Sequence, residues 1–246
     1  GSLEVDVPVI AEAPASDPWI DSFSVSDPGG VSQGYLLSSP ETYLKRLLAA
    51  NPRPIHSIGK AFRASESGRF HAREFTMLEW YRPSNHPFSD MVRDLQELVV
   101  SVTDFALPEV ISYRQCFEAT LSMNPHQAEH AQLVELAKPH VGQRAAQSLD
   151  GDSLLNLLFA SHIEPELTGH IVIDFPTVQA SLAEIASVDG DRVAKRAELY
   201  LHGVELANGY AELTDAREQG RLFDEDALLR QQLGRPEVPR DQALLD

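Results

Sequence analysis

Cysteine is almost absent from this 246-residue chain, where Cys116 stands alone. That excludes an intrachain disulfide and every zinc site built on two or more thiolates, and it fits a reducing compartment, the cytoplasm. Positive charge is scarce as well. Asp and Glu number 37 against 20 Lys and Arg, for a net charge of −17, so the overall field repels phosphate backbones and anionic lipid. No run of five like charges supplies a local exception. No apolar run approaches the ~18 residues of a spanning helix, and Gly1 to Asp6 has neither the basic nor the apolar stretch of a secretion signal, so no membrane role is expected. Gly-rich phosphate loops, a Gly-x-Ser-x-Gly elbow and a Cys-His nucleophile pair are missing too. What remains is 43% hydrophobic and 23% charged, enough to bury a core.

Leu3, Val5, Val7 and Val9 alternate with polar residues and Pro8, so a strand is expected from the start of the chain. Ala11 to Gly34 is rich in Pro, Ser, Asp and Gly and reads as loop with one short strand. Ser39-Pro40 supplies a cap and a first-turn proline for a helix over 40–50, stopped by Asn51-Pro52. Ile55 to Arg63 and Glu74 to Arg82 read as strands, joined by a polar connection, Ala64 to Arg73, too long for a tight hairpin. Ser89 opens a helix whose apolar spacing runs to Leu107-Pro108, and further helices are expected over 127–137 and 152–161. Ile171 to Phe175 reads as a buried strand ending in Pro176, and Ala194 to Ala207 as one long strand finishing at a turn, Asn208-Gly209. Asp215 with Glu218 forms a capping box for a helix to about 231. Strands and helices interleave without a βαβ rhythm, which predicts an α+β fold with a mostly antiparallel sheet flanked by helices.

Period two in Glu74-Phe75-Thr76-Met77-Leu78-Glu79-Trp80-Tyr81 puts Phe75, Met77, Glu79 and Tyr81 on one face and Glu74, Thr76, Leu78 and Trp80 on the other. If both faces are covered, Glu79 needs a cation or several donors, and a pocket for an ammonium group would satisfy it. An edge strand with solvated carboxylates is the alternative. Arg63, Arg69, His71 and Arg73 concentrate positive charge in or beside the connection, able to grip a polyphosphate, or simply to pair with Glu66 and Glu74 in solvent. Glu205 and Glu212 flank Asn208-Gly209 and offer carboxylates for magnesium and a substrate amine, or are ordinary hairpin residues. His126-Gln127-Ala128-Glu129-His130 fits the His-x-x-Glu-His zinc pattern, but its position after Asn124-Pro125 favours a short exposed helix without zinc.

Four stretches together, Tyr35 to Ala50, Ala61 to Pro83, Asp174 to Ile185 and Val204 to Asp226, resemble the lysine ligases of translation elongation factor P, truncated relatives of class II lysyl-tRNA synthetases. The strings that carry the resemblance are Ser39-Pro40-Glu41 before Lys45-Arg46-Leu47-Leu48, Phe62-Arg63 through His71 to Glu74-Phe75-Thr76-Met77-Leu78-Glu79-Trp80-Tyr81-Arg82-Pro83, and Glu205-Leu206-Ala207-Asn208-Gly209 to Glu212-Leu213-Thr214-Asp215-Ala216-Arg217-Glu218. The resemblance implies one class II synthetase-like catalytic domain over 1–246, with the first-motif helix expected before Gly1 and the third motif after Asp246. It assigns ATP to Arg63, Glu66, His71, Phe75, Glu205 and Leu206. Arg63 would hold the α-phosphate as the catalytic group, His71 would lie near the distal phosphates and Phe75 would stack on adenine. The aminoacyl pocket falls to Ser39, Glu41, Glu79, Tyr81 and Glu212, and Mg2+ to Glu205.

The implied activity is ATP-dependent adenylation of lysine or β-lysine and transfer to a lysine side chain of elongation factor P, by a cytoplasmic homodimer. This chain departs from the family pattern at Ser65, where a glutamate reads the adenine amino group, at Ala72 in place of asparagine, and at Ala211 in place of histidine. These departures define the alternative of a catalytically impaired paralogue that binds an amino acid or a translation protein. A fragment of a true lysyl-tRNA synthetase is a third reading.

Overall fold

Gly1–His86 folds around an open hairpin. In the computed structural model, which describes residues 1–245, this stretch contains β1 (Leu3–Glu4), β2 (Ile10–Ala11), β3 (Ser24–Ser26), β4 (Ser32–Leu36), α1 (Glu41–Ala50), β5 (Ile55–Phe62) and β6 (Glu74–Tyr81). β5 and β6 pair antiparallel from Ile55↔Tyr81 to Phe62↔Glu74, and β1 adds in parallel to β5. A second small sheet has the order β2-β4-β3. The strand expected from Leu3 onward is two separate two-residue strands, β1 and β2, with Pro8, which has no N–H to give a ladder, in the break between them. The loop expected over Ala11 to Gly34 holds β3 and the start of β4.

On the inner face of the hairpin Ile55, Ser57 and Ala61 are buried, while Ile58, Lys60, Glu74 and Leu78 on the other face are exposed. The two faces are therefore unequal: Glu79 points to the covered side and Glu74 to solvent. α1 starts at Glu41, with Pro40 in the capping position, and the Ser39 hydroxyl accepts from the Glu41 N–H at 3.0 Å.

Pro87–Thr214 forms a separate compact unit. It contains α2 (Phe88–Val102), β7 (Glu109–Ser112), α3 (Tyr113–Leu121), α4 (His130–Val141), α5 (Gln143–Ser148), α6 (Gly151–His162), β8 (Gly169–Pro176), β9 (Ile185–Val188), β10 (Asp191–Leu201) and β11 (Val204–Tyr210). The sheet order is β11-β10-β8-β7 with β9 also on β10, antiparallel throughout except for the parallel pair β7/β8. The core is aromatic at its centre: Tyr113 stacks on Phe117 at 4.9 Å and on Phe159 at 5.1 Å between centroids. Cys116 is buried in this core, and burial pushes its thiol up to about 11.

Three expectations are corrected here. α2 ends at Val102 instead of continuing to Leu107, because the Thr103 hydroxyl turns back to donate to the Val99 carbonyl at 2.6 Å and its backbone leaves the helical region. The single strand expected from Ala194 is two strands, β10 and β11, reversed at His202-Gly203, where both residues have positive φ. Asn208-Gly209 lies inside β11, opposite Glu198 and Ala197. A Cβ on Gly209 would sit 2.9 Å from the Met91 sulfur, so this glycine serves a close approach and not a turn.

The chain from Asp215 onward belongs with Gly1–His86. α7 (Ala216–Gln232) is capped by the Asp215 carboxylate, which accepts from the N–H groups of Arg217 at 2.9 Å and Glu218 at 3.1 Å. Among the described residues no helix is long and apolar enough to cross a membrane.

Candidate active site

The covered face of β6 carries a strongly perturbed acid. Glu79 accepts from the Ser39 hydroxyl at 2.7 Å on one oxygen and from the Tyr81 hydroxyl at 2.9 Å on the other. Burial pushes its carboxyl up to about 7, against the opposing pull of the Ser39 hydrogen bond and with the Glu41 charge adding to the rise. Glu41 is held by Lys45, 2.6 Å away one helical turn on. Ser39, Glu41, Glu79 and Tyr81, four of the five residues assigned to an aminoacyl pocket, thus form one cluster. Hydroxyl groups are the direct partners of Glu79, and the Lys45 charge acts on it more weakly than they do, an arrangement in which the ammonium group of a ligand would add a closer cation.

Arg63 leaves the end of β5 next to this cluster. Its guanidinium lies over the Phe75 ring at 5.3 Å and donates through Nε to the carbonyl of Ser38, the neighbour of Ser39, at 3.5 Å. Glu66 is a loose partner, 3.8 Å from Arg63 and 3.8 Å from His71 Nε2. Arg63, Glu66, His71 and Phe75 therefore meet as one group at the mouth of the connection. The Ser65 hydroxyl is committed to the carboxylate of Asp21.

Glu205, Leu206 and Glu212 lie in the second unit. Glu205 receives a long hydrogen bond of 3.5 Å from Asn208, and loss of solvent around its carboxyl together with the Glu198 charge raises its pKa. Leu206 is exposed, and Glu212 bridges to Ala183 beyond the end of β11. Without a turn at Asn208-Gly209 the two acids follow one another along an extended segment instead of flanking a bend.

Beside them lies a network that the sequence reading missed. Arg196 is sandwiched between Phe175 at 4.9 Å and Tyr210 at 5.7 Å, donates to the Gln179 carbonyl at 2.8 Å and pairs with Glu198, whose other oxygen accepts from Tyr200. Two opposite charges two residues apart, and so on one face of the strand, were the available signal.

The His-x-x-Glu-His string does not form a helical pair of imidazoles. α4 begins only at His130, and His126 lies half-buried in the preceding loop, its pKa lowered by burial. The expectation of an exposed helix there is corrected accordingly. Among the described residues no three His, Cys, Asp or Glu side chains converge to hold a metal ion.

A family model for class II tRNA synthetases (D, K and N) matches residues 1–237. Curated relatives named elongation factor P–(R)-β-lysine ligase align over the whole chain. The protein of Erwinia tasmaniensis is 42% identical over 254 aligned residues, covering 100% of this chain and 78% of the relative. That of Proteus mirabilis is 43% identical over 253, covering 100% and 77%. The chain belongs to the elongation factor P lysine-ligase family of class II synthetases. The α+β architecture with mostly antiparallel sheets flanked by helices is the class II type that the sequence predicted.

Membership implies ATP as a substrate, and the donor set fits it. Arg63 has a guanidinium with only a distant carboxylate partner, on the same strand pair as an aromatic ring. Magnesium takes one or two protein carboxylates and completes its shell with phosphate and water. Glu205, an exposed carboxylate with only a long hydrogen bond from Asn208, would be one such protein ligand.

Proposed function

We propose that this protein activates lysine or (R)-β-lysine with ATP and transfers the aminoacyl group to a lysine side chain of elongation factor P. The observation that carries the reading is the Glu79 carboxylate, held by Ser39 and Tyr81 on the same face of β6 as Phe75 and linked through Ser38 to Arg63. It is an anionic socket for an amine beside a cation for phosphate. The names of the relatives supply the amino acid and the acceptor.

In the first step an oxygen of the amino-acid carboxylate attacks the α-phosphorus, the bond to the bridging oxygen breaks and pyrophosphate leaves with that electron pair. Arg63 neutralises charge on the non-bridging oxygens, Phe75 stacks on the base and His71 faces the distal phosphates, with Glu66 completing the nucleotide contacts. A magnesium ion at Glu205 would offset the charge of the leaving phosphates. Ser39, Glu41, Glu79 and Tyr81 hold the amine, so the carboxylate is presented without solvent reorganisation. In the second step the acceptor ε-amine, losing its proton to solvent, attacks the aminoacyl carbonyl and AMP leaves. The reaction runs in the cytoplasm, in a homodimer.

Pyrophosphate exchange with lysine and with (R)-β-lysine, followed by mass spectrometry of elongation factor P, tests the reading. Exchange driven by either amino acid and a mass increase of one aminoacyl residue on the acceptor are expected. Amino-acid binding without ATP binding would replace it by the impaired paralogue, a reading favoured by the engagement of Ser65 with Asp21 where the family has an adenine-reading glutamate.

A further inference from the structure

The root of the 64–73 connection is anchored on one residue from three directions. The Ala64 N–H donates to the Asp21 carbonyl at 2.7 Å, the Ser65 hydroxyl donates to one carboxylate oxygen of Asp21, and Arg235 donates to the other at 2.6 Å. Asp21 thus joins an N-terminal loop, the start of the connection and the segment after α7. Its surroundings are themselves braced. Arg235 lies over the Trp19 ring at 5.9 Å, and the buried Arg230 donates to the Asp17 carbonyl at 3.3 Å.

Arg63 sits one residue before this anchor. Its main chain is held on both sides, by Arg63 N–H to the Arg73 carbonyl at 3.0 Å and Glu66 N–H to the Arg63 carbonyl at 3.3 Å. Its side chain is held by long polar contacts, 3.5 Å to Ser38 and 3.8 Å to Glu66, and by the Phe75 ring at 5.3 Å. The aim of the guanidinium therefore depends on where the main chain fixes Cα. A long side chain launched from a wandering backbone must be ordered again at each binding event, which weakens affinity.

We propose that Asp21 is a positioning residue for the nucleotide: by gripping Ser65 and Arg235 at once, its carboxylate fixes the start of the connection and so aims Arg63. This rests on the nucleotide-binding reading of Arg63 and goes beyond it. The amino-acid pocket around Glu79 is built from Ser39 and Tyr81 and does not use Asp21, so the effect is confined to ATP. Asp21 also neutralises Arg235. A role limited to keeping that cation quiet would make ATP bind more tightly once the carboxylate is removed.

The test is isothermal titration of the full chain with ATP and magnesium, and separately with lysine, for the parent, Asp21→Ala, Asp21→Asn, Ser65→Ala and Arg235→Gln, each with a thermal melt. Asp21→Ala is expected to raise the Kd for ATP about tenfold, the scale of one charge-assisted hydrogen bond. Asp21→Asn, which still accepts from Ser65, is expected to do less, and lysine affinity is expected to stay within about twofold. The Asp21→Ala, Ser65→Ala double variant is expected to lose no more than Asp21→Ala alone. Unchanged or tighter ATP binding in Asp21→Ala overturns the proposal, as do equal losses for ATP and lysine. If Asp21→Ala does not fold, Ser65→Ala and Arg235→Gln each remove one arm and decide the matter by the same criterion. A parent that binds lysine but not ATP overturns the nucleotide reading itself, and this inference with it.

Discussion

Glu79 holds a carboxyl near pKa 7 because its surroundings favour the neutral form, and the ligand proposed for it favours the charged one. Two pH dependences of opposite sign follow. Without ligand, the folded state binds the proton more tightly than the unfolded chain, so the contribution of Glu79 to stability is present below about 4.5 and is lost as pH rises through about 7. Lysine needs the ionised form, so its affinity is expected to fall about tenfold per pH unit below 7 and to level off above it. Titration calorimetry across pH 5 to 9 checks this, and Glu79→Gln is expected to flatten the profile. The same substitution is expected to weaken lysine binding about 10- to 100-fold while leaving ATP binding intact. Arg63→Ala is expected to do the reverse, with pyrophosphate exchange falling by at least about 100-fold.

Period two alone put Glu79 beside Phe75 and Tyr81 on one face, and that much of the site was legible. What period two could not show is that Ser39, forty positions earlier, would supply the hydrogen bond. Asp21 was silent for the same reason: nothing within the Pro- and Ser-rich loop says that its carboxylate meets Ser65 and Arg235.

Among elements, the β10–β11 hairpin separates a legible signal from an illegible one. Asn-Gly marks two-residue turns because both residues tolerate positive φ, and at Asn208-Gly209 the rule fails since the glycine is there to admit Met91. The actual reversal has a histidine at φ 54°, a residue type that carries little turn signal, followed by Gly203 at φ 70°. A side chain at Gly203 would both strain the backbone and press 3.2 Å from the Glu164 carbonyl. Gly203→Ala is therefore expected to cost about 1–3 kcal/mol in denaturant unfolding, whereas Gly209→Ala asks only that the flexible end of Met91 move. α3 was overlooked although Ser112 and Gln115 form a reciprocal capping box, a signal readable from the sequence as Ser-x-x-Gln. Its first turn, starting at an aromatic residue after β-branched ones, reads locally as strand.

At the scale of the whole molecule, the irregular interleaving of strands and helices was enough to give α+β, but not the way the chain after Asp215 returns to the unit formed by its first 86 residues. Such a return is a long-range pairing with no local trace in sequence. The aromatic centre of the second unit is the place where one substitution should matter most for stability. Phe117→Ala, at a position fully shielded from solvent, is expected to cost about 3–5 kcal/mol and to be visible as a lowered melting temperature.

The same core makes the molecule convenient to label. Cys116 is shielded among aromatic rings, and with a thiol near 11 it presents a thiolate in only about one molecule in ten thousand at neutral pH. Maleimides will pass it by. A cysteine introduced at the exposed Ser67, midway along the connection from Ala64 to Arg73, would then be the single reactive handle on the protein. A dye attached there would report, in real time and on one site, how that segment responds when ATP arrives.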